Sequence, residues 1–316
     1  MPLRPVLRPL LALANVLERE DRSRPVADRR AAAASGLLQM KFVTAPGRRR
    51  VASMDLLVPV DGGQIMIRVY RPAGHALTPM PTHLYFHGGA FWLDSVAVYD
   101  PICRWLAGTV DCQVISVDYR LAPEHRYPTA VEDAYAALCW AAEHAQGLSV
   151  DRDRLSVGGF SAGGNIAAAV AMMARDRSGP AVCFQALQSP VTDLTMGQPS
   201  VEEFATGYGL TKADLVEGYG FYLGDPAQAR EPYASPLLAP DLSGLPPAFI
   251  STCEYDPLRD EGEAYGRRLK ATGVPTEIRR IPGHLHSSIY LTRVLPSARE
   301  AMRHTADALR AAYGMS

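Results

Sequence analysis

The sequence lacks an excess of charge of either sign: 32 lysines and arginines stand against 33 aspartates and glutamates in 316 residues. A balance so close to neutrality argues against nucleic acid or an acidic membrane surface as partner. The run Arg48-Arg49-Arg50 accordingly reads as solvated surface. Cysteine is scarce and unpatterned. Cys103, Cys112, Cys139, Cys183 and Cys253 are odd in number, show no metal-ligand spacing and mostly lie in apolar runs. That argues against a disulfide framework or a thiolate metal site and leaves buried free thiols. No apolar run is long enough to cross a bilayer. The best candidate, Leu3 to Leu17, is interrupted by Pro5, Arg8 and Pro9 and runs into Glu18-Arg19-Glu20-Asp21 without a small-residue cleavage site. It reads as an amphipathic helix, neither a span nor a signal peptide. Repeats, low-complexity tracts and a nucleotide-type glycine motif are missing as well. The remaining class is a soluble, cytoplasmic enzyme long enough for one α/β domain with an added cap.

Within that class, Gly159-Phe160-Ser161-Ala162-Gly163 is the most informative segment. It lies between Leu155-Ser156-Val157-Gly158, which reads as a short buried strand, and Asn165 to Ala174, an alanine-rich run with helical propensity. A serine in a sharp strand-to-helix turn projects its Oγ above the sheet edge, and the helix N-terminus below it favours developing negative charge. The bland alternative, a flexible surface turn, lacks that flanking context.

Three further segments supply what such a serine needs. Thr82 to Phe86 reads as a strand entering His87-Gly88-Gly89-Ala90-Phe91-Trp92. The N–H groups of Gly88 and Gly89, with that of Ala162, are candidates for an oxyanion hole, in which one donor stabilises the transition state by about 3 kcal/mol. Phe91 and Trp92 read as a substrate floor. After Phe249 to Cys253 comes a carboxylate cluster in which Asp256, fixed by the turn at Pro257, is preferred over Glu254 as the acid, while Asp260 and Glu261 suit the first turn of a helix. Beyond the strand Thr276 to Ile281, Pro282-Gly283-His284-Leu285-His286 carries two candidate bases, with His286 ahead of His284.

Together these segments resemble the hormone-sensitive-lipase-like branch of the α/β-hydrolase superfamily, which holds bacterial esterases and arylacetamide deacetylases. His87-Gly88-Gly89-Ala90 resembles its oxyanion motif, and Ser161 lies in what resembles its nucleophile elbow. Asp118 to Glu124 with Tyr127-Pro128 and Glu132-Asp133-Ala134 resembles its linking segment, and Asp256-Pro257-Leu258-Arg259-Asp260-Glu261-Gly262 its acid motif. The resemblance places the family histidine on His286 and runs from about Leu56 to the C-terminus. Two departures stand out. Phe160 replaces the usual aspartate before the nucleophile, which implies an aromatic wall, and Ala90 replaces the third glycine, which strains the turn if its φ is positive.

The fold expected is an α/β-hydrolase: an eight-stranded, mostly parallel sheet with helices on both faces and a helical cap. Strands are predicted at 56–60, 65–70, 82–86, 113–117, 155–158, 184–187, 248–253 and 276–281, with a hairpin at Asp61-Gly62-Gly63. Residues 51–316 form the catalytic domain. The resemblance implies cap helices over 1–50, where Leu10, Leu13, Leu17, Leu37, Leu38 and Phe42 would find apolar partners, and a second cap segment at about 195–228. There Phe204, Tyr208 and Leu210 are candidate pocket residues, joined by Phe160, Leu258 and His284 nearer the acid and base. The expected activity is hydrolysis of short-to-medium acyl esters, including bulky or aromatic ones, through an acyl-enzyme on Ser161, with no metal or organic cofactor. The alternatives are an amidase or deacetylase with the same triad and a non-catalytic small-molecule receptor. The resemblance is compatible with a homodimer.

Overall fold

The hairpin at Asp61-Gly62-Gly63 forms, joining β1 (Val51–Val60) to β2 (Gly63–Pro72) antiparallel. The structure, a computed structural model, describes residues 3, 7, 8, 11, 22–37, 40–75 and 78–315. Six strands follow: β3 (Met80–Phe86), β4 (Gln113–Asp118), β5 (Val150–Phe160), β6 (Phe184–Gln188), β7 (Ala248–Tyr255) and β8 (Thr276–Leu285). The sheet order is β1-β2-β4-β3-β5-β6-β7-β8, as expected eight-stranded and mostly parallel. Only β2 runs against the others, being antiparallel to both of its neighbours.

The longer helices are α1 (Val26–Leu37), α2 (Val96–Leu106), α3 (Thr129–Glu143), α4 (Ala162–Asp176), α5 (Lys212–Tyr222), α6 (Arg259–Ala271) and α7 (Pro296–Ala312). Alternation along the strands sends successive side chains to opposite faces. Leu84, Phe86, Ile115, Val117, Leu155, Val157 and Ile250 share a core with α3, α4 and α6. On the other face Tyr85, Val114, Ala186 and Phe249 meet α2 and α7. Residues Ala162 to Ala174 of α4 are all buried, which explains its alanines: small side chains let one helix lie against both the sheet and α3.

Because β3, β5, β7 and β8 are parallel, their carboxyl ends open on one edge of the sheet, where parallel α/β folds gather their ligands. Phe86 pairs with Gly159, so the turn after β3 is level with the turn after β5. Tyr255 pairs with Leu285, which sets Asp256 and His286 side by side. This last pairing differs from expectation, since the strand predicted to end at Ile281 continues to Leu285. Cys253 pairs with Ile281 but Tyr255 with Leu285, so β8 holds two more residues than β7 between these points. The Glu254 carboxylate accepts the Gly283 N–H at 2.6 Å and anchors the irregularity. Bulges that re-aim a side chain are common beside active sites, and this one carries His286 past the strand end.

At the N-terminal side, Leu10, Leu13, Leu17 and Leu38, assigned from sequence to a cap, lie outside the described residues, as does the Leu37 side chain. Phe42 does not find the expected enclosure and is 67% exposed. The N-terminal segment is joined to the rest by apolar packing, with Leu7 buried against Leu285, Leu295 and Ala298, and by ion pairs. Arg29 is buried, pairs with both Glu217 oxygens on α5 at 2.9 and 2.7 Å, and stacks over Trp92 at 4.6 Å. Arg22 reaches Asp214, and Arg30 reaches Glu124 and the Trp92 carbonyl. Among the described residues, no helix is long and apolar enough to cross a membrane.

Candidate active site

Ser161 sits between β5 and α4 with φ 56° and ψ −118°. A non-glycine residue in such a conformation stores strain of order 1–3 kcal/mol and persists only where its surroundings fix it. Here the backbone is fixed from several sides. Ser161 N–H donates to the Gln188 carbonyl at 2.9 Å, and the Ser161 carbonyl accepts from Asn165 N–H and Val191 N–H, both at 3.1 Å. Gly163 is required by close approach: a Cβ there would fall 2.0 Å from the Phe86 carbonyl oxygen. The end of β3 therefore lies directly against the elbow.

The acid and base meet across β7 and β8. The His286 Nδ1–H donates to Asp256 Oδ2 at 2.7 Å, and the buried Asp256 carboxylate also accepts the Leu258 N–H at 2.9 Å through Oδ1. Glu254 is excluded as the acid because it is held by Gly283. His284 is likewise excluded from the site. It is fully buried, and its ring nitrogens contact Ser288 Oγ at 2.8 Å and Ser297 Oγ at 2.9 Å.

Gly89 takes φ 110°, and a Cβ on it would meet the Leu93 carbonyl at 2.3 Å, so only glycine fits this turn. The N–H groups of Gly89 and Ala162 donate to no backbone acceptor among the described residues. Gly88 lies beside the Tyr99 hydroxyl, which a Cβ on it would meet at 2.6 Å. Ala90 takes φ 49°, so the departure from glycine does strain the turn, at a cost of about 1–2 kcal/mol. Beneath it His87 is a packing residue: its ring stacks on Tyr119 at 4.3 Å and its Nδ1–H donates to the Gly88 carbonyl at 2.7 Å. Burial lowers the His87 pKa and keeps the ring neutral.

Sequence reasoning passed over Asp94, which packs against Gly89 and has φ 71°. Burial pushes its carboxyl up to about 7, and one of its oxygens has no partner. A carboxyl raised in the folded state contributes stability at low pH that is lost as pH rises through about 7. Thermal unfolding of Asp94→Asn is expected to lose less stability than the wild type between pH 5 and pH 8; parallel curves for the two proteins would contradict this.

Most of the expected pocket residues are occupied by packing. Phe91 and Leu258 have no exposed surface, so neither lines a space that admits water. Phe91 stacks on Tyr222 of α5 at 3.8 Å, and Trp92 lies between Arg29 and the edge of Phe221. Phe204 is buried against Tyr208, Tyr255 and Arg259. Phe160, expected as an aromatic wall, is 3% exposed, with its ring against His286. Tyr208 and Leu210 keep partial exposure. A second serine–histidine pair, His83 Nδ1 to Ser156 Oγ at 2.7 Å, lies between β3 and β5, fully enclosed. Burial takes that histidine down to about 3, and no substrate reaches it. A cleft of about 430 Å³ bordered by Arg48, Arg49, Arg50, Arg104 and Arg293 shares no residue with the edge where Ser161 stands.

Comparison with known proteins agrees with this geometry. The alpha/beta hydrolase fold family matches residues 83–290. The carboxylic ester hydrolase LipN of Mycobacterium tuberculosis is 41% identical over 263 residues, 81% of this chain and 69% of that protein. An arylesterase of Saccharolobus solfataricus is 41% identical over 235 residues, 74% of this chain and 76% of its own. Among solved structures, a hyperthermophilic esterase from the archaeon Pyrobaculum calidifontis superposes with a TM-score of 0.92 at 41% identity, covering 98% of this chain and 99% of that one.

Proposed function

The chain belongs to the hormone-sensitive-lipase-like branch of the α/β-hydrolase family, and from that premise we infer a serine carboxylesterase whose reaction runs through Ser161. His286 takes the Ser161 proton as Oγ attacks the ester carbonyl, and Asp256 holds the imidazole in the tautomer that leaves Nε2 free to accept it. Gly88, Gly89 and Ala162 N–H stabilise the oxyanion, aided by the N-terminus of α4. The alcohol leaves with the proton from His286, and water returned through the same base releases the acid. The observation that carries this reading is one sheet edge bearing both a strained serine turn and a histidine held 2.7 Å from a buried aspartate.

The substrates we propose are short-to-medium acyl esters. Support comes from α5, which lies on the oxyanion turn so closely that a Cβ on Gly218 would fall 2.9 Å from that of Ala90. Residues 1–50 and about 195–228 would form the cap, tied together by Arg29 and Glu217. Five unbridged thiols suit a reducing cytoplasm, and a homodimer could pair along β8, the last strand of the sheet.

The test is a burst experiment. Wild-type enzyme with p-nitrophenyl acetate is expected to release a stoichiometric burst of p-nitrophenol before a slower steady state when deacylation limits turnover, and to turn over the matched anilide far more slowly. Comparable rates on ester and anilide would favour the amidase reading. Tight binding without turnover would favour a receptor.

A further inference from the structure

Given Ser161 and His286 as nucleophile and base, we propose that Phe160 is a positioning residue: its ring is the wedge that fixes the tilt of the His286 imidazole against the oxyanion turn. The contact is direct. Phe160 is 3% exposed, and its ring centroid lies 4.6 Å from that of His286. On another side it meets Tyr290 edge-on at 5.0 Å. It also reaches the oxyanion turn, since a Cβ on Gly88 would come within 2.9 Å of Phe160 Cδ1. One ring thus touches the base and the turn that carries the oxyanion donors.

Asp256 cannot set that tilt alone. Its hydrogen bond fixes one atom of the imidazole, Nδ1, and leaves the ring free to swing about that contact. The terminal torsion of histidine is broad, so rotamer preference supplies little restraint. Nor does the backbone, because His286 stands in the turn beyond β8, followed by Ser287 at φ 66°. A flat apolar neighbour at van der Waals distance supplies the missing constraint and keeps water off one face of the base.

The wedge is itself backed. The Tyr290 hydroxyl contacts the Tyr85 hydroxyl at 3.0 Å and donates to Gln188 Oε1 at 3.3 Å. Gln188 Nε2 is anchored to Thr305 Oγ1 at 3.2 Å, while the Gln188 carbonyl holds Ser161 N–H at 2.9 Å. Gln188 therefore fixes the serine backbone directly and the histidine ring through Tyr290 and Phe160. A misplacement of reacting groups by about 1 Å can cost on the order of a hundredfold in rate, which makes such a linkage consequential.

The experiment compares Phe160→Leu and Phe160→Ala with wild type on p-nitrophenyl acetate and p-nitrophenyl butyrate, with active sites counted by diethyl p-nitrophenyl phosphate so that misfolded protein is not scored. For Phe160→Leu, which keeps most of the buried volume, kcat per active site is expected to fall about tenfold, with KM within about twofold on both esters, and the phosphylation rate to fall in parallel. Phe160→Ala is expected to fall further. A KM that rises with acyl length at constant kcat would overturn the proposal in favour of a substrate wall. Unchanged kcat and KM would make the ring a spectator. Failure of the phosphate to label the wild type would instead remove the serine-esterase reading, a result distinct from either.

Discussion

Ser161→Ala is expected to lower kcat on p-nitrophenyl acetate by about 10⁵ to 10⁶ while leaving the fold intact, with KM little changed. The loss is large because the hydroxyl is the group that forms the acyl-enzyme, and no other nucleophile stands at this edge of the sheet in the proposed mechanism. The fold is expected to survive because the elbow is held by main-chain bonds: Ser161 N–H to Gln188, and the Ser161 carbonyl to Asn165 and Val191. Alanine retains all of them. A residual rate above uncatalysed hydrolysis is expected, since the donors at Gly88, Gly89 and Ala162 remain. Turnover within tenfold of wild type would remove Ser161 from the reaction. Loss of the thermal transition would mean that the side chain has a structural task not visible in its contacts.

Asp256→Asn is expected to cost about 10⁴ in kcat, for a reason that the Leu258 amide makes specific. Leu258 N–H needs an acceptor at 2.9 Å, so an asparagine at this position keeps its carbonyl oxygen there and turns its NH₂ toward His286. That forces the imidazole to accept at Nδ1 and carry its proton on Nε2, the tautomer unable to take the Ser161 proton. Glu254→Gln should lose much less, because that carboxylate is spent on the Gly283 N–H. Equal losses in the two variants would show that the acid has been misassigned.

The elbow was legible from sequence because its logic is local: strand, glycine, serine, glycine and alanine-rich helix follow one another along twenty residues. The sheet was legible for the same reason, each strand being announced by its own apolar run. Asp256 could be ranked above Glu254 from spacing and His286 above His284 from the family resemblance, but what separates them physically is the two-residue slip in β8. Nothing in Pro282-Gly283 announces how far that slip carries the chain. The aromatics were the least legible. Phe91 and Phe160 look like pocket walls because they neighbour the chemistry in sequence, and Phe204 because it stands among the aromatics of the cap segment, yet each packs into protein, against Tyr222, His286 and Tyr255 respectively. Periodicity says that an aromatic is buried; it does not say whether a ligand or another ring buries it. Asp94 was missed because its state depends on burial by residues distant in sequence.

Labelling decides the central claim most directly. The protein is treated with diethyl p-nitrophenyl phosphate, which phosphylates an activated serine, and then digested for peptide mass mapping. The account predicts one diethylphosphoryl group per chain, on the peptide holding Gly159 to Gly163, with activity lost in proportion and no labelling of Ser161→Ala. A label on any other residue, or full inhibition with Ser161 unmodified, would contradict it.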